Sequence, residues 1–110
     1  MNFRKQQLNS LIRNEAAKAI QREVEFPAGT LVSITRVEVS DDLGYANVFV
    51  SVIPLEKKNG ALKALNARRA AIQTILFKKI KILSLPRIRF NYDPGPEKAA
   101  NIERISLGGK

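Results

Sequence analysis

The chain has no cysteine and no histidine. Without cysteine there is no disulfide framework and no thiolate chemistry. That absence suits a reducing compartment only weakly, since many secreted chains lack cysteine too. Without histidine, the commonest general base and the commonest metal ligand are missing. Long apolar runs are missing as well. The longest stretch free of charged side chains is Leu43–Leu55, thirteen residues, against the roughly 20 apolar residues that a membrane-spanning helix needs. The first residues, Met1-Asn2-Phe3-Arg4-Lys5, carry charge but are not followed by the apolar core of a signal peptide. No phosphate cradle is visible: the six glycines, at 29, 44, 60, 95, 108 and 109, form neither a G-x-G-x-x-G nor a Walker loop. A serine nucleophile would have no base beside it. The only adjacent carboxylates, Asp41-Asp42, fall in a predicted turn. There aspartates ordinarily bond the turn backbone rather than hold a metal or move protons. The chain is therefore expected not to be an enzyme and to use no cofactor, no metal and no small-molecule substrate.

The charge that is present is unevenly placed. The net charge is +9, and residues 57–89 hold ten of the nineteen lysines and arginines without a single aspartate or glutamate. Elsewhere the signs nearly balance: +2 over 1–25, −3 over 26–56 and zero over 90–110. A one-sided basic block attracts polyanions, although a charge run alone can be no more than a solvated surface. The candidate binding residues are Lys57, Lys58, Lys63, Arg68, Arg69, Lys78, Lys79, Lys81, Arg87 and Arg89. Contacts from such groups to phosphates supply affinity without sequence information. Exposed aromatics would add base stacking. The candidates for that are Tyr45, Phe49, Phe77 and Tyr92, most of them expected in the core. On charge alone, nucleic acid and an anionic membrane surface both remain open.

A chain of 110 residues is expected to form one domain, residues 1–110, with about 97–110 as a tail or short helix. A hydrophobic content of 45% suffices for one modest core. Over 4–24, Leu8, Leu11, Ile12, Ala16, Ala19, Ile20 and Val24 recur at helical spacing, and Phe26-Pro27-Ala28-Gly29 ends that helix. Residues 31–40 and 45–53 are β-branched strands joined by the turn Ser40-Asp41-Asp42-Leu43-Gly44. In the first, Val32 and Ile34 share one face while Val37 and Val39 share the other, so a β-bulge is predicted near Thr35 and Arg36. A helical pattern follows from about Asn59 to Leu83, ended by Leu85-Pro86, and residues 87–92 form a third strand with Arg87 and Arg89 facing away from Ile88 and Phe90. Unbroken, the helix over 59–83 would be about 37 Å long in a domain whose radius of gyration should be about 13 Å. On a straight helix, Leu62, Leu65, Ile72, Leu76, Ile80 and Leu83 would form one apolar stripe with Arg69 in its middle, an expensive place for a charge. Both considerations predict a kink between Asn66 and Ala70 that turns Arg68 and Arg69 onto an exposed corner. On that reading, replacing both by alanine lowers affinity for the polyanion, RNA if nucleic acid is the partner, at little cost in stability. The predicted order is α-β-β-α-α-β: an α+β, two-layer domain with helices on one face of a three-stranded sheet.

Residues 32–52, with Thr35-Arg36-Val37-Glu38-Val39-Ser40 followed by Leu43-Gly44-Tyr45-Ala46, resemble the central hairpin of the ribosome-binding factor A family. Arg22-Glu23-Val24, Ala64-Leu65-Asn66 and Leu85-Pro86-Arg87-Ile88-Arg89-Phe90-Asn91-Tyr92-Asp93 fit the same family in order. The resemblance implies a KH-like domain of the second topological type. It also implies a cytoplasmic, non-catalytic factor, monomeric when free, that binds the small (30S) ribosomal subunit and its rRNA and assists late maturation of 16S rRNA. KH domains ordinarily clamp nucleic acid with a G-x-x-G loop; none exists here, and the family too lacks it. Where the family has a small-x-glycine kink, this chain has Arg68-Arg69-Ala70, and where Asp-Pro-Arg is common it has Phe26-Pro27-Ala28. The alternative is a basic protein-interaction or peripheral membrane-binding module. Such binders pair a basic face with exposed Trp, Phe or Leu; this chain has no Trp, and its helical apolar stripe is needed for the core, so no membrane partner is expected.

Overall fold

The computed structural model describes residues 3–95. Helix α1 (Phe3–Glu23) leads to strands β1 (Leu31–Val39) and β2 (Tyr45–Ile53). A 3-10 turn (Leu55–Lys57) then enters helices α2 (Lys58–Ala67) and α3 (Arg69–Lys79), and strand β3 (Arg87–Tyr92) closes the fold. The sheet order is β1-β2-β3. The first pair is antiparallel and the second parallel. A parallel neighbour needs a crossover, and α2 and α3 supply it. The predicted helix over about 97–107 and the tail 97–110 lie outside the described residues.

One layer of helices covers one face of the sheet. Leu8, Ile12, Ala16, Ala19 and Ile20 of α1 are buried, and so are Leu65 of α2 and Ile72 and Leu76 of α3. From the sheet they meet Val37, Val39, Ala46, Val48, Val50, Ile88 and Phe90. No polar or charged residue is buried as a whole among the described residues. The Thr30 hydroxyl oxygen is a buried polar atom without a hydrogen-bond partner, and its desolvation is uncompensated. Leu11 departs from the predicted stripe. It sits at the edge of the α1 face and is about half exposed.

The bulge lies where the phase change placed it. Ile34 pairs with Val50, then Arg36 with Phe49, and Thr35 is the extra residue between them. The insertion brings Val37 and Val39 into the layer of Val32 and Ile34 while turning Arg36 and Glu38 to the opposite face. The hairpin turn is held by Ser40 and Asp42. The Ser40 hydroxyl donates to Asp42 Oδ1 (2.7 Å), and that oxygen accepts the Gly44 N–H (2.9 Å). These two bonds hold the Asp42 carboxyl below its ordinary pKa. Asp41 instead pairs with Lys5 Nζ at 2.7 Å and ties the hairpin to α1. Leu43, not Gly44, takes the left-handed conformation (φ 61°).

The helical crossover breaks at Arg68 (φ −105°, ψ 8°), between α2 and α3 and without a glycine. Arg69 is exposed. Arg68 is exposed too but engaged. Its Nε donates to the Glu23 carbonyl (3.1 Å) and its guanidinium pairs with the Glu23 carboxylate (2.6 Å). It therefore caps the last turn of α1, and the expected low stability cost of removing both arginines is corrected for Arg68.

The far end of the crossover differs from the predicted pattern. Helix α3 stops at Lys79. Ile80 is extended (φ −96°, ψ 109°), and Leu83 is fully exposed instead of lying on the apolar stripe. The cause is topological. Strand β3 must start beside Tyr45, where the Arg87 N–H bonds the Gly44 carbonyl (2.9 Å). Residues 80–86 are spent returning the chain to that end of β2, with Pro86 buried on the way.

Candidate nucleic-acid interface

The fold divides the ten basic residues instead of gathering them on one face. Lys63, Arg68, Arg69, Lys78, Lys79 and Lys81 lie on the outside of the helical layer and its exit, all exposed. Lys57 and Lys58 sit half-buried at the start of α2, with Lys58 Nζ 4.8 Å from the centroid of the Tyr92 ring. Arg87 and Arg89 alternate with the buried Ile88 and Phe90 on β3, so they project from the sheet face that none of the described helices covers. Among the described residues, Arg68 is the only one of the ten held in an ion pair. The other nine keep their charge available to a polyanion.

The open face of the sheet was only partly legible. Tyr45 is 39% exposed and Phe77 54%, while Phe49 and Tyr92 are half-buried. Of the four aromatics, most of which were expected in the core, Tyr92 packs partly buried against it, and Tyr45, Phe49 and Phe77 do not belong to it. The reason for Tyr45 and Phe49 is strand parity: Ala46, Val48, Val50 and Val52 fill the inner face of β2, so the residues between them face outward. Arginines lie on both rings. Arg89 is 3.8 Å from the Tyr45 centroid and Arg36 is 4.0 Å from that of Phe49. Arg36 falls outside the basic block and was missed. Its only sequence signal was the bulge that turns it to this face. Arg36 is fixed by Glu38 (2.9 Å) and Asp93 (3.0 Å). The Thr35 hydroxyl also donates to Asp93, and this bond is the main cause holding that carboxyl below its ordinary pKa. Gln73 was missed as well. Its carboxamide joins α3 to the start of β3 and so sets where Arg87 and Arg89 stand.

The described residues contain no group of three or more Asp and Glu that could hold a metal ion, and the paired aspartates are spent on the turn and on Lys5. No described helix is long and apolar enough to cross a membrane. What the surface offers is cations, two layered arginine–ring pairs and carboxamides. These are the groups that bind phosphates and bases.

A family model for ribosome-binding factor A matches residues 4–106. The chain belongs to the ribosome-binding factor A family. Among curated relatives of that name, the protein of Akkermansia muciniphila is 33% identical over 105 residues, covering 96% of this chain and 83% of the relative. The one from Clostridium perfringens is 36% identical over 107 residues, covering 94% and 92%. The solution structure of a putative ribosome-binding factor A from Thermotoga maritima superposes with a TM-score of 0.72 at 32% identity, covering 88% of this chain and 95% of that one. The crystal structure of ribosome-binding factor A from Thermus thermophilus, at 24% identity and a TM-score of 0.67, covers 80% and 94% and shares the fold. The KH-like order implied by the hairpin resemblance is the order observed. The break between α2 and α3 falls at Arg68, in an Arg68-Arg69-Ala70 stretch that contains no glycine.

Proposed function

We propose that this chain is a non-catalytic, single-domain RNA-binding factor of small-subunit assembly. On this reading it acts in the cytoplasm, is monomeric when free, and binds the small ribosomal subunit to assist late maturation of 16S rRNA. Family membership over residues 4–106 supports the subunit as partner. A Thermus thermophilus ribosome-binding factor A has been fitted into a map of its complex with the 30S subunit. The observation that carries RNA as the ligand is the run of basic side chains over 57–89, nine of them outside any ion pair among the described residues. Phosphates are the partners such groups select.

Co-sedimentation tests the reading. The chain should pellet with purified small subunits and not with large ones, and reversing Arg69, Lys78 and Lys79 to glutamate should release it. Flotation with anionic vesicles is the counter-experiment. Binding to vesicles as tight as to subunits would overturn the assignment.

A further inference from the structure

Phosphate binding by the helical layer leaves the open face of the sheet unused. There Arg89 covers the Tyr45 ring and Arg36 the Phe49 ring. Between them the Asn91 and Asn47 carboxamides meet, Nδ2 to Oδ1 at 3.1 Å. Tyr45 and Phe49 lie four residues apart on one face of β2, which is about 13 Å at the rise of a strand. That is roughly four times the 3.4 Å step between stacked bases. Rings so spaced cannot take neighbouring bases of a stacked helix. They suit bases splayed apart on an unpaired strand, the state in which base faces are accessible.

The two pairs differ in how they can respond. Arg36 is anchored to Glu38 and Asp93, so it forms a fixed plane over Phe49, and a guanidinium plane itself accepts a stacked base. Arg89 and its neighbour Arg87 have no ion-pair partner among the described residues. Arg89 can therefore leave the Tyr45 ring. A base on that ring is worth more than an exposed guanidinium, and the displaced guanidinium gains a charge-assisted bond to the flanking phosphate. The carboxamides between the rings offer both donors and acceptors to a base edge.

From this arrangement we propose that the open sheet face is a second RNA site, taking a short unpaired strand. Tyr45 and the Arg36–Phe49 layer stack its bases, and Arg87 and Arg89 hold its phosphates. The proposal rests on the RNA reading above but assigns other residues and another form of RNA.

The test uses the full chain and a labelled mixed-sequence single strand of about ten nucleotides, with duplex RNA and inorganic polyphosphate beside it. Tyr45→Ala should weaken the single strand about 5- to 150-fold. Tyr45→Phe should restore it, and affinities for duplex and polyphosphate should stay as in the parent. The chain has two tyrosines and no tryptophan, so in Tyr92→Phe the emission reports Tyr45 alone and should be quenched by the single strand but not by polyphosphate. This second readout decides the matter if Tyr45→Ala fails to fold. A parent that binds all three polymers, with Tyr45→Ala unchanged on the single strand or Tyr45 emission unquenched at saturation, overturns the sheet site and leaves the phosphate reading standing. A parent that binds none of them overturns both. Retention of a ribosomal protein by the parent but not by Tyr45→Ala, with RNA binding equal, assigns the face to protein and also overturns the proposal.

Discussion

Gln73 uses both ends of its carboxamide on the entry to β3. Its Nε2 donates to the Pro86 carbonyl (3.0 Å) and its Oε1 accepts the Ile88 N–H (2.8 Å). Both backbone groups lose these bonds in Gln73→Ala, and part-buried groups left unpaired cost about 1–3 kcal/mol in all. Urea unfolding should show that loss as a lower midpoint. Gln73→Glu keeps the acceptor and should lose less. The neighbouring arginines at the kink should separate in the same assay. Arg68→Ala removes the cap on Glu23 and should cost about 0.5–1 kcal/mol, since the pair is half exposed and partly screened. Arg69→Ala touches no such contact and should change RNA affinity rather than stability. Asp93 supplies a pH test. Its carboxyl is held below the ordinary value first by the Thr35 hydroxyl, with the Gly95 N–H and Arg36 acting in the same direction. A carboxyl depressed in the folded state contributes stability above its unfolded pKa, and that contribution fades as pH falls through the folded one. Carboxyl NMR titration should find Asp93 ionised in acid where a free aspartate is protonated, and Thr35→Val should move its midpoint upward. An unmoved midpoint would show that Thr35 is not the cause.

Among the elements, α1, the hairpin, the bulge and the kink could all be read before any coordinates, because each is written in local periodicity. Val32, Ile34, Val37 and Val39 cannot share a layer without an extra residue, and the extra residue is Thr35. Arg69 cannot sit under the sheet, and the break falls one residue before it. What could not be read depends on contacts distant in sequence. Leu83 keeps the helical spacing of Leu76 and Ile80, yet the start of β3 opposite Tyr45 takes residues 80–86 out of the helix. The partnership of Arg36 with Phe49 needs the register of two strands, and that of Arg89 with Tyr45 needs the third strand. Neither is visible in composition. Within the basic block, alternation on the third strand already turned Arg87 and Arg89 away from Ile88 and Phe90, as observed. That this sets them apart from the cations of the helical layer needs the packing of helices on sheet. The end of α3 gives a sharp contrast between two leucines of the same apparent stripe. Leu76 is fully buried and Leu83 fully exposed. Leu76→Ala should cost about 2–5 kcal/mol through lost transfer energy and the cavity left behind, whereas Leu83→Ala should stay within about 0.5 kcal/mol of the parent. Equal losses in thermal or urea unfolding would mean that the helix continues through Leu83.

At the scale of the whole molecule, the division of charge between helical layer and open sheet predicts how binding responds to salt. If roughly six cations contact phosphates, a single-strand-like target gives a log–log slope of about −4, and a duplex target is steeper. Each contact removed should flatten the slope by about 0.7 on a single strand. Arg87 and Arg89 are exposed, outside any ion pair among the described residues and on the side of β3 away from Ile88 and Phe90. Arg87→Glu with Arg89→Glu should therefore leave the fold intact and cost no more than about 0.5–1 kcal/mol, the worth of the Arg89–Tyr45 contact. If the sheet face holds an unpaired strand, that double variant loses about 1.4 in slope with single-stranded RNA and keeps the parent's slope with duplex RNA. Reversing Lys63, Arg69 and Lys78 on the helical layer should act the other way, flattening the duplex response first. The crossed pattern is the informative result, because net charge alone cannot produce it. Removing positive charge from either face would weaken both RNAs alike if binding answered only to the +9 total. A slope that falls equally on both RNAs for both sets of reversals would therefore reduce the two faces to one diffuse field. A crossed response would instead show that the fold, by splitting one run of basic sequence across a sheet, has made two surfaces with different RNA preferences.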